Sequence, residues 1–149
     1  MQTINVMALF CEDIREEKGD IFSLIGLMPD NVNLADKTDG VTREGQARKL
    51  LGKLCLFVRI NFDPDIDIGA PEIKLVMPDG ESIAIGEIEH SLIQKSISET
   101  KENGNLLAGV MSRAVFWGFN PPTDGSIKVE VYINGETYLA GALKFKSSE

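Results

Sequence analysis

The sequence predicts an all-β fold, an antiparallel sandwich of about eight strands, and three observations point there. Apolar and polar residues alternate over long stretches. Turn-forming dipeptides separate those stretches. The stretches are short, with turn signals at the spacing of an antiparallel sandwich or barrel. Strict alternation places every second side chain on one face, which suits a strand and would scatter the same residues around a helix.

In chain order, the first run covers 4–14. Its Val6, Ala8 and Phe10 share one face, while Met7, Leu9 and Cys11 share the other. A strand apolar on both faces is central or covered, either by the 35–49 segment or by a second copy of the chain. Glu17-Lys18-Gly19-Asp20 turns it into a second run, 21–28. Leu54, Leu56, Val58, Ile60 and Phe62 alternate with Cys55, Phe57, Arg59 and Asn61, giving a strand over 53–62. Pro78-Asp79-Gly80-Glu81 joins strands at 72–77 and 82–89. Another strand spans 108–119, and Thr123-Asp124-Gly125 turns from it into 126–133. Asn134-Gly135 accepts the positive φ angles of a type I′ hairpin and links 126–133 to 137–146.

Two segments do not alternate in this way. Residues 35–49 are polar and basic (Lys37, Arg43, Arg48, Lys49) and are expected as a long loop, with a helical turn near Glu44–Leu51. Over 90–105 the spacing of Leu92, Ile93 and Ile97 suits a helix, while Ser91, Ser96, Ser98 and Thr100 suit an exposed strand, so helix, strand and loop stay open. No linker or repeat divides the chain, and residues 1–149 are read as one domain. The Cys…Trp…Cys spacing of antibody domains is absent, so an immunoglobulin-like or C2-like form is expected as architecture only.

Composition removes several functions. The net charge is −8 and the pI about 4.7, which argues against a nucleic-acid partner. No apolar run reaches the ~20 residues of a membrane span, and no signal peptide is recognisable. Two cysteines are too few for a disulfide framework. Cys11 and Cys55 are expected to be reduced and structural, in a cytoplasmic protein. Residues 61–102 hold ten acids and three bases, a solvated face or an acidic surface for a basic partner.

Few residues suggest chemistry. Asp63, Asp65 and Asp67 are spaced to converge on a calcium ion if the backbone turns sharply, but Ile68 and Lys74 occupy the Gly and Glu positions of an EF-hand. His90 is the sole histidine, no Gly-x-Ser-x-Gly elbow accompanies it, and an exposed position is expected for it. No zinc spacing or phosphate-binding glycine loop is present, so no cofactor is expected. In Val115-Phe116-Trp117-Gly118-Phe119, alternation puts Trp117 and Phe119 on the face opposite Phe116; the expected outcome is that both faces are covered, one by the second sheet and one by a loop, but if exposed, Trp117 with Phe119 is the first candidate for an interaction anchor.

The opening Phe10-Cys11-Glu12-Asp13-Ile14-Arg15, then Gly19, then Leu24-Ile25-Gly26-Leu27-Met28-Pro29-Asp30-Asn31 resembles a family of small bacterial and bacteriophage proteins. Leu54–Arg59, Pro78-Asp79-Gly80 and the Ser126–Lys146 hairpin are similar in placement. That family is a domain of unknown function, so the resemblance implies an intracellular β-rich domain and no activity. Physically, an Arg15–Asp13 bridge would pin the first hairpin.

The expected function is therefore a non-enzymatic intracellular module that binds another protein or itself, as a homodimer. The alternatives are a calcium-dependent binding module on the Asp63–Asp67 loop and a small carboxylate-based hydrolase.

Overall fold

A computed structural model describes residues 3–33, 38–41, 47–119 and 124–146, with side chains for 3–33, 52–119 and 124–146. The strands are β1 (Ile4–Glu16), β2 (Phe22–Leu27), β3 (Asn31–Asn33), β4 (Thr38–Val41), β5 (Ala47–Phe62), β6 (Glu72–Val76), β7 (Ser82–Glu87), β8 (Ala108–Phe119), β9 (Gly125–Ile133) and β10 (Glu136–Lys146). One helix, α1 (His90–Asn103), lies between β7 and β8. Two sheets pack face to face. The first runs β2-β1-β5-β4 with β8 also on β5, and the second runs β3-β10-β9-β6-β7.

The sandwich expected from alternation is present, and each of the eight expected strands is a strand. Two more exist. β3 is a three-residue strand parallel to the end of β10, with Asn31 opposite Lys144. β4 pairs with the start of β5, Thr38 opposite Leu50. This corrects the polar 35–49 loop, because Thr38–Val41 and the stretch from Ala47 onward are paired strands. The helical turn expected at Glu44–Leu51 is strand from Ala47; residues 34–37 and 42–46 lie outside the described residues. Polar strands of this kind carry no apolar alternation for a reader to detect.

The open question over 90–105 resolves as helix. Ile93 is fully buried, Ile97 packs against the core, and Gly104 closes the helix in a left-handed conformation, φ 68°. Leu92, which contributed to the helical spacing, points to solvent.

The core is built from the expected faces. Leu54, Leu56, Val58, Ile60 and Phe62 on β5 meet Ile127, Val129, Val131 and Ile133 on β9, Ile73 and Leu75 on β6, and Leu143 and Phe145 on β10. The turn residues behave as their chemistry requires. Asn134 (φ 51°) and Gly135 (φ 81°) both take positive φ, as a type I′ hairpin demands. The sheets approach closely where Ala8 on β1 meets Gly141 on β10. A Cβ on Gly141 would lie 2.7 Å from the Ala8 carbonyl oxygen, so only glycine fits there.

β1 stays on β5 from Ile4 to Cys11 and then departs. Beyond Cys11 the β1–β2 hairpin bends across the outer face of its own sheet. The Phe22 ring reaches within 6.1 Å of Phe57, and Glu16 pairs with Arg113 on β8 at 3.2 Å. This hairpin covers the Cys11 end of the first strand's outer face and leaves Met7 exposed.

Candidate interaction surface

The outer face of the first sheet is laid out by register. Leu27, Cys11, Cys55 and Val115 form one row across β2, β1, β5 and β8. Lys53 faces Trp117 in the next row, and Ile25 faces Asp13. On the other side lie Leu9, Phe57 and Arg113, then Met7, Arg59 and Met111. The face is thus mainly apolar, with charges set among the apolar side chains.

Trp117 is its most prominent feature, with 73% of its surface exposed. Val115, Met111, Met7, Ile25 and Leu27 are also exposed large apolar residues of this sheet. The Lys53 ammonium sits 5.1 Å from the Trp117 ring centroid, a cation–π contact that orients the indole. The same ammonium donates to Asp13 Oδ1 at 2.6 Å. That bond holds the Asp13 carboxyl below its ordinary range and the Lys53 amine above its own. The expected Arg15–Asp13 bridge is a long, exposed contact of 3.9 Å, so Lys53 is the partner that pins Asp13.

Phe119, expected beside Trp117, is buried at 7% exposure. Gly118 has φ 60°, which breaks the alternation and returns the next side chain to the core. Phe119 then stacks 5.7 Å from Phe116 and 5.5 Å from Phe145. It is a core residue, and Trp117 alone of the pair faces solvent.

Cys11 and Cys55 are opposite one another in register, free and fully buried. Burial pushes the Cys11 thiol up to about 11 and raises Cys55 as well. The Cys55 thiol donates to the Glu12 carbonyl at 3.6 Å, beneath the folded-over hairpin.

The remaining candidates have structural partners. Asp63 Oδ1 accepts the Asp65 N–H at 2.9 Å, and Asp67 Oδ1 accepts the Gly69 N–H at 3.0 Å. Asp65 pairs with Lys101 at 3.3 Å, and the Asn134 side chain donates to the Asp67 carbonyl at 2.7 Å. Among the described residues no group of three His, Cys, Asp or Glu side chains is placed to hold a metal ion. His90 is exposed at the start of α1. Its Nδ1 lies 3.0 Å from the Gly69 carbonyl, which can only accept, so that nitrogen carries the proton and Nε2 accepts from Gln94. His90 ties the helix to the Asp loop.

A polar cleft of about 270 Å³ opens between α1 and the ends of β5 and β8. Arg59, Asn61, Asn103 and Asn105 line it, and Glu99 is the one carboxylate among the described residues that do. Carboxylate-pair hydrolysis needs two converging acids, which this cleft lacks.

No protein-family model and no curated protein matches the chain. Among the described residues no helix is long and apolar enough to cross a membrane.

Proposed function

We propose that this protein is a non-enzymatic protein-binding module of the cytoplasm, and that it docks through the outer face centred on Trp117. The observation that carries the reading is the exposure of a tryptophan held in place by a lysine, amid exposed Val115, Met111, Ile25 and Leu27. Aromatic anchors with an apolar surround are the typical energetic centre of a protein interface. A solvated sheet face has no need of an aromatic anchor; on the outer side of the opposite sheet Lys74, Glu72, Glu130 and Tyr132 make ion pairs and hydrogen bonds beside the exposed aliphatic Leu139, and no tryptophan is present. Two buried, free thiols fit a reducing compartment. The resemblance of the opening segment to an intracellular bacterial and phage family supports the same setting.

A photo-crosslinking amino acid at position 117, compared with one at position 128 on the other sheet, tests the reading in cells that produce the protein. A discrete protein adduct from 117 and none from 128 is expected. Equal labelling from both positions, or none from 117, refutes the docking face.

A further inference from the structure

We propose that the partner of this face is a second copy of the chain, joined edge to edge through antiparallel β8 strands; the inference rests on the docking-face reading above.

The open edge can be read from one side chain. Ser96 Oγ on α1 accepts the Gly109 N–H at 3.1 Å and donates to the Gly109 carbonyl at 2.8 Å. In an antiparallel ladder every second residue turns both backbone groups to the same side. The β5–β8 register is constant from Asn61 opposite Gly109 to Lys53 opposite Trp117. Met111, Arg113, Val115 and Trp117 therefore point their N–H and C=O groups the same way as Gly109, away from β5. Among the described residues β8 pairs with β5 alone.

This open stretch is bounded at both ends. Ser96 already holds the backbone groups of Gly109, and the positive φ of Gly118 ends the alternation after Trp117. The terminal strands are short by comparison: β3 has three residues, β4 four, and β2 and β7 six each, against twelve in β8; β1 also has no strand on its far side from Ile4 to Leu9 among the described residues, but it lacks the tryptophan that marks β8. Native proteins cover, shorten or charge long edges, because unpaired backbone is a template for another strand.

The four rungs are self-complementary. A two-fold axis through Ala114 sets Met111 against the partner's Trp117 and Arg113 against the partner's Val115, and uses every open rung. An axis at Arg113 instead opposes arginine to arginine and runs Trp117 onto the partner's Gly109, whose groups are taken. An axis at Val115 carries the pairing past Gly118. In the favoured register the thioether of Met111 lies on an indole, a favourable contact, and the most exposed aromatic of the sheet is covered.

Charge permits the approach despite the −8 of each chain. Arg113 carries its own counter-ion, Glu16, at 3.2 Å, and Lys53 carries Asp13 at 2.6 Å. The other three edge residues are neutral. Neither copy brings an uncompensated negative charge to the contact.

Sedimentation equilibrium of the full chain from low to high micromolar concentration decides the matter. Twice the 16.3 kDa chain mass is expected for the wild type. Val115→Pro removes an N–H that turns away from β5 and makes no bond among the described residues, so it should retain its circular dichroism and sediment as one chain. Trp117→Arg, at a solvent-exposed site, should weaken the dimer at least tenfold, and it decides alone if the proline variant misfolds. A wild type that stays at one chain mass, or a dimer indifferent to both substitutions, overturns the proposal. If the chain is monomeric while position 117 still crosslinks to a different protein, the docking face stands and self-pairing falls; if that adduct is also missing, both fall.

Discussion

The Lys53 ammonium bridges Asp13 and Trp117, 2.6 Å from the carboxylate oxygen and 5.1 Å from the ring centroid. Because the bond lowers the Asp13 pKa, its contribution is present above the ordinary carboxyl value of 3.8 and is lost as pH falls through the depressed native value. The raised Lys53 pKa places the other limit above 10.5, where the contribution fades with rising pH. Trp117 fluorescence should therefore hold steady between those limits and change below the lower one. In Asp13→Asn the acid step should vanish; an unchanged acid step in that variant shows that Asp13 does not control the indole.

Trp117 and Phe119 are two residues apart and should respond oppositely to truncation. In the Val115→Pro background, where the chain is expected to be monomeric, Trp117→Ala is expected to change unfolding free energy by no more than about 0.5 kcal/mol, as at other exposed sites. Phe119→Ala removes a ring packed on Phe116 and Phe145 and should cost about 3–5 kcal/mol. Urea unfolding of the two variants measures both.

Cys11 and Cys55 should resist alkylation in the folded protein at pH 8, since burial excludes the reagent and the Cys11 pKa of about 11 keeps that thiol protonated. Both should react fully in denaturant. Rapid native labelling with iodoacetamide contradicts the folded-over position of the β1–β2 hairpin.

Gly141→Ala places a methyl 2.7 Å from the Ala8 carbonyl oxygen, closer than backbone tolerates. A destabilisation of about 1–3 kcal/mol is expected from the forced separation of the sheets. Gly86→Ala, where an added Cβ meets nothing within 4 Å, is the control. Equal melting temperatures for the two variants contradict the close approach.

Much of the fold could be read in advance because its strands obey local rules. The β9–β10 hairpin follows from Asn134-Gly135, whose preference for positive φ is intrinsic to the dipeptide. The β5 core face follows from the simple alternation of Leu54 to Phe62. What escaped were departures set by single backbone angles or distant contacts. The Gly118 conformation moves Phe119 from the expected outer face to the core. The true partner of Asp13 is Lys53, forty residues away, and not the neighbouring Arg15. Among the described residues β3 gains its place from β10 and β4 from β5; neither has an apolar rhythm of its own.

The parallel pairing of β3 with β10 also sets an order of events. Asn31 has no rung to join until Lys144 has been synthesised, and Val32 waits in the same way for Phe145. During translation the early segment must stay unlatched while nearly all the intervening strands assemble, since distant pairings carry the largest closure entropy and come late. The second sheet therefore stays open along the β3 side of β10 until that last pairing forms.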